Sequence, residues 1–80
     1  MKLPRDVDAR QLVRALARMG YHVTRQHGSH IRLACTAPSP HAVTIPDHSP
    51  IKPGTLNAVL ADLAVHHRIE KSTIIDKLFG

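Results

Sequence analysis

The chain has 80 residues, a formal charge of +5 and a sequence pI near 10.2, which makes one small basic domain, 1–80. A domain of this size buries only about 60–65% of the surface its unfolded chain exposes, so a single compact core is expected, with any site on an open face. The basic balance favours a polyanionic partner such as nucleic acid, or an acidic protein. A single cysteine, Cys35, excludes an intramolecular disulfide framework and cannot alone make a zinc site, which fits a reducing, cytoplasmic setting. No signal-peptide pattern and no apolar run approaching the ~20 residues that cross a bilayer is present, so a soluble chain without a membrane partner is expected.

The first periodic segment, Asp8 to Met19, repeats Leu12, Val13, Leu16 and Met19 at helical spacing. Asp6 or Asp8 can cap its start and Gly20 can end it. Arg10, Arg14 and Arg18 make a basic stripe on its other side. After Gly20 the period changes to two. Tyr21–Gln26 and Ser29–Cys35 read as antiparallel strands joined around His27-Gly28. Strand parity sends Ile31, Leu33 and Cys35 inward and His30 and Arg32 outward; on the first strand it sends Tyr21 and Val23 inward and His22, Thr24 and Gln26 outward. Pro38 and Pro40 break the chain before a third strand, His41–Pro46, with Val43 and Ile45 inward.

Asp47 to Gly54 is a proline-rich connection leading to a second helix, Thr55–Ala64, with Leu56, Val59, Leu60 and Leu63 on its apolar side and Thr55 as its cap. The free N–H groups at that helix start, beside Lys52, also suit a phosphate. His66-His67-Arg68 forms a polar corner, and Glu70–Phe79 reads as a short last helix with Ile74, Ile75 and Leu78 inward. The fold class is therefore α+β: αβββα, a three-stranded antiparallel sheet with its helices on one face and a short extra C-terminal helix. The other sheet face stays open.

On that face the candidate group is His30. Gly28 permits a tight reversal, and Ser29 then leads into a strand that holds the histidine more firmly than a loop would. An imidazole, with an unperturbed pKa of about 6.5, both accepts and donates protons near neutrality. Competing chemistries lack their residues. No Cys pair, His-Glu-x-x-His helix or carboxylate cluster completes a metal set, so no metal and no cofactor is expected. Cys35 lies on the opposite face from His30, and no phosphate-cradling glycine motif occurs. Tyr21 and Phe79 are the only aromatics, which excludes a base-stacking platform.

Contacts to phosphate and 2′-hydroxyl remain, through Arg25, Ser29, Arg32, Thr44 and Lys52. RNA carries a nucleophile beside every phosphodiester, so one positioned histidine can cleave it without metal. Gln26, Arg32 and Lys52 are placed to stabilise developing phosphorane charge. His48 either supplies a second proton-transfer group or holds its own loop by hydrogen bonding. The rival readings are a non-catalytic RNA-binding module using the same face and an interaction protein docking an acidic partner on the arginine stripe.

Three blocks carry a resemblance: Gly20-Tyr21 with Arg25-Gln26-His27-Gly28-Ser29-His30, then Val43-Thr44-Ile45-Pro46-Asp47-His48, then Lys52-Pro53-Gly54-Thr55-Leu56. In order and spacing the chain resembles the HicA (YcfA-like) family of mRNA interferase toxins. The resemblance implies a double-stranded-RNA-binding-domain-like αβββα fold, metal-independent cleavage of mRNA, and neutralisation by a HicB-like antitoxin protein. It also implies that the histidine of Gly-Ser-His, here His30, is catalytic. The segment Pro38-Ser39-Pro40-His41, where the family usually has a hydrophilic loop, and the terminal helix depart from the common pattern.

Overall fold

A computed structural model describes residues 3–80, in the order α1 (Ala9–Ala17), β1 (His22–His27), β2 (His30–Cys35), β3 (His41–Pro46), α2 (Pro53–His67) and α3 (Lys71–Phe79). This is the expected αβββα arrangement, with a further helix at the C-terminus. The sheet order is β1-β2-β3, both pairings antiparallel. Among the described residues no helix is long and apolar enough to cross a membrane.

Each element begins and ends for a local reason. Asp8 opens α1 with a capping box: its carboxylate accepts from the Gln11 N–H at 2.7 Å, and the Gln11 side chain accepts from the Asp8 N–H at 3.1 Å. Gly20, at φ +85°, turns the chain out of that helix. Between β1 and β2 only Gly28 of the two turn residues has a positive φ, +58°, the pattern of a type II′ hairpin with glycine first. The second helix starts two residues earlier than its apolar period suggested. Lys52 is its N-cap without a side-chain bond, Pro53 occupies the first helical position, and Thr55 is no cap. It also runs on through His66 and His67, where the sequence predicts a polar corner. Arg68, at φ +58°, ends it, and the Ile69 N–H reaches back to the Ala64 carbonyl at 3.2 Å.

The core lies between the helices and one sheet face. Leu12 and Leu16 of α1, Leu33 and Ile45 of the sheet, Leu60 and Leu63 of α2, and Ile74 and Leu78 of α3 are all essentially solvent-free. Each such side chain contributes roughly 1.5–3 kcal/mol by leaving water. Arg18 does not complete a free basic stripe on α1: its guanidinium donates to the carbonyls of Leu78 at 3.1 Å and Gly80 at 2.7 Å, closing the end of α3. Arg10 and Arg14 alone are left of the stripe expected to dock an acidic partner.

One expectation about β1 fails. Its register slips between Val23 and Arg25, so that Val23 pairs with Leu33 but Arg25 pairs with Arg32 and Gln26 with Ile31. Thr24 is the extra residue of a β-bulge, and its hydroxyl donates to the Arg32 carbonyl at 3.3 Å. Parity inverts beyond it, which sends Arg25 to the open face and Gln26 to the side that carries Ile31. Val23 faces the helix side as expected, yet it is 49% exposed on the edge strand β1.

Candidate functional site

The uncovered sheet face is assembled by register. His30 stands opposite both His27 on β1 and Pro46 on β3, and Arg32 stands opposite both Arg25 and Thr44. Cross-strand partners share a face, so His27, His30, Arg25, Arg32 and Thr44 form one exposed polar surface. Neither guanidinium has a side-chain partner among the described residues. The pairing of His27 with His30 follows from a two-residue turn, which always sets its flanking residues opposite each other.

The segment after β3 brings in two further groups. It is pinned by the backbone: the Asp47 N–H donates to the Ser29 carbonyl at 2.7 Å, the Ala9 N–H donates to the His48 carbonyl at 3.0 Å, and the Ile51 N–H donates to the Val7 carbonyl at 2.8 Å. The buried Ile51 side chain anchors its far end. Backbone bonds thus hold the loop, and one of them satisfies a first-turn donor of α1 that has no partner within the helix. The His48 imidazole is exposed and has no hydrogen-bond partner among the described residues. It is free for another task.

The result is a shallow cavity of about 400 Å³ lined by His30, Thr44, Pro46, His48, Lys52 and Thr55. It joins the open sheet face to the first turn of α2, whose leading N–H groups lack helical acceptors and carry the positive end of the helix dipole. Two imidazoles, one ammonium and a helix N-terminus around one space suit a phosphodiester. Gln26 is not among them. Its amide donates to the Asp47 carboxylate at 3.2 Å, behind the hairpin end, where it steadies the segment that carries His48. Arg25 and Arg32 flank His30 farther along the face. Gly28 and Ser29 form the turn itself.

A second polar cluster lies at the other end of the sheet and was not anticipated. The Tyr21 hydroxyl, inside the core, lies 2.7 Å from His41 Nδ1 and 2.8 Å from His67 Nε2, so it donates to one ring and accepts from the other. His41 is stacked on His66 at 4.1 Å and reaches Asp62 at 3.4 Å. Burial first, then its bond to Cys35, raises the Tyr21 phenol above its usual range. His67 is lowered by burial and then by the neighbouring His66, His41 and Lys77, which favours its neutral form. Cys35 packs at the same place. Its position opposite His41 across β2 and β3 was the available signal, but the meeting with His66 and His67 depends on how α2 crosses the sheet.

The family described as HicA toxin of bacterial toxin-antitoxin matches residues 9–65, from the first residue of α1 to near the end of α2 and across the whole His30 surface. Neither the curated proteins nor the solved structures yield a significant match. With more than half of its length matched, and with the αβββα fold in place, the chain belongs to the HicA toxin family of bacterial toxin-antitoxin systems, whose members are generally ribonucleases acting on mRNA.

Proposed function

We propose that the chain is a metal-independent endoribonuclease that cleaves mRNA in the cytoplasm with His30 as its proton-transfer residue, and that a HicB-like antitoxin neutralises it. The observation that carries this reading is the shared cavity of His30, His48 and Lys52 beside the N-terminus of α2. A neutral His30 imidazole takes the proton of a ribose 2′-hydroxyl, whose oxygen attacks the adjacent phosphorus. The P–O5′ bond breaks, leaving a 2′,3′-cyclic phosphate, and the departing 5′-oxygen takes a proton from the protonated imidazole of His48. Lys52 and the leading N–H groups of α2 stabilise the negative charge that builds on the phosphorane oxygens. Arg25 and Arg32 hold the flanking phosphates. The HicB-like partner rests on family membership.

The test is incubation of the purified chain with RNA in EDTA. Cleavage is expected to leave cyclic phosphate ends, and His30→Ala, in a folded protein, is expected to lose about 10²–10⁴ in rate. His48→Ala is expected to lose less, since water can protonate the leaving oxygen. Undiminished cleavage by folded His30→Ala would remove His30 from the mechanism. Binding without cleavage by the unmodified chain would make it an RNA-binding module instead.

A further inference from the structure

We propose that Cys35, His66 and His67 bind one zinc ion, which clips the end of β2 to the end of α2. One ligand atom from each of the three lies within 4.8 Å of the others. A tetrahedron built on zinc bonds of 2.0–2.3 Å has edges of about 3.3–3.8 Å, so the three atoms need to close by about 1 Å. The His66 and His67 side chains, both only partly buried, can supply that movement by rotation. A thiolate with two imidazoles is a donor set of the kind zinc takes, and solvent or a further ligand completes the fourth position.

The surroundings fit a bound cation. Cys35 is only 4% exposed, and its thiol donates to the Ser39 carbonyl at 3.8 Å and lies beside the Tyr21 hydroxyl. Binding transfers the thiol proton to solvent and forms the Zn–S bond. The Tyr21 hydroxyl lies 2.8 Å from His67 Nε2, so it orients that ring from outside the metal's own shell when the ion is held through Nδ1. Asp62, which His41 reaches, adds a carboxylate nearby. The sequence shows no metal set because its members come from two elements. Cys35 alone on a strand and an adjacent His pair on a helix have no recognisable spacing.

This site is separate from the cavity around His30. The five-residue step along β2 from His30 to Cys35 spans about 17 Å at the usual strand rise. The ion therefore has a structural role, and the inference does not depend on the proposed cleavage.

The experiment is a metal titration of the full chain after chelator treatment and removal of the chelator. Cobalt(II) serves as the optical probe and zinc as the competitor. One cobalt per chain is expected, with thiolate-to-cobalt charge-transfer absorption and the intense visible bands of tetrahedral coordination, both abolished by one equivalent of zinc. Because Cys35 is the only cysteine, any thiolate band reports this site. Zinc is also expected to raise the melting temperature, since it binds the folded chain.

His66→Gln and His67→Gln are each expected to weaken binding at least tenfold, and Cys35→Ser to remove the charge-transfer band. His22→Gln, whose side chain lies on the opposite face of the sheet from the cluster, is expected to change nothing. Absence of the charge-transfer band in the folded, unmodified chain would overturn the proposal. So would unchanged affinity in folded His66→Gln, a variant whose partly exposed position keeps the test open should Cys35→Ser fail to fold.

Discussion

The Gln26 side-chain amide donates to the Asp47 carboxylate at 3.2 Å, and the Asp47 N–H donates to the Ser29 carbonyl at 2.7 Å. Asp47 thus ties the β1–β2 hairpin end, where His30 begins its strand, to the residue immediately before His48. Gln26 reaches it only because the bulge at Thr24 turned its side chain away from the open face. The two histidines that line one cavity are therefore registered against each other by a residue pair that need not touch RNA.

Asp47→Ala is expected to slow cleavage about three- to tenfold through kcat with little change in KM, because the lost contact positions His48 rather than binding substrate. Stability should fall by about 0.5–1.5 kcal/mol, the ordinary worth of such a hydrogen bond. Asp47→Asn keeps an acceptor for the Gln26 amide and is expected to restore most of the rate. Steady-state kinetics on a short RNA and denaturant unfolding check both parts. A fall confined to KM would assign Asp47 to substrate contact instead.

Arg25 and Arg32 face each other across β1 and β2 with no side-chain partner among the described residues, although like charges directly opposite in a sheet are destabilising. A polyanion removes that repulsion. Arg25→Gln and Arg32→Gln are each expected to weaken RNA binding and to reduce the slope of log affinity against log salt by about 0.7, one phosphate contact on a single strand. The same substitutions are expected to raise stability by about 0.2–1 kcal/mol in the free protein. Fluorescence anisotropy across a salt series and thermal unfolding read the two opposite signs. Substitutions that leave the salt slope unchanged would place the RNA elsewhere.

Local pattern made most of the architecture legible. Val43 and Ile45 alternate cleanly between proline boundaries, so the limits of β3 were read directly, and Ile31, Leu33 and Cys35 set the inward face of β2. Those same positions placed His30 and Arg32 outside. What escaped was produced by geometry that leaves no periodic mark. Nothing in Val23-Thr24-Arg25 announces a bulge, yet one inserted residue exchanged the faces of Arg25 and Gln26. The position of His48 depends on Ile51 finding the core, and the free state of its ring depends on the backbone having already satisfied the loop. The cluster of Tyr21, Cys35, His41, His66 and His67 needed the crossing of α2 over the sheet, a tertiary relationship between residues up to 46 positions apart.

Arg68 ends α2 at φ +58°, in the left-handed region that glycine adopts without cost and other residues do not. Its N–H and that of Ile69 both reach the Ala64 carbonyl, so the conformation is imposed by the helix end and not by the arginine side chain. Arg68→Gly removes the Cβ clash, worth about 1–2 kcal/mol, and gives back part of it as backbone entropy. A net gain of about 0.5–1 kcal/mol is expected, a rise of about 2–8 °C in melting temperature for a domain of this size. Arg68→Val, which adds a branch at Cβ where φ is positive, is expected to lower the melting temperature instead. The pair distinguishes a backbone cause from the loss of a charge, since both variants remove the guanidinium and only the glycine relieves the turn. Destabilisation by both would show that the arginine side chain itself contributes to stability.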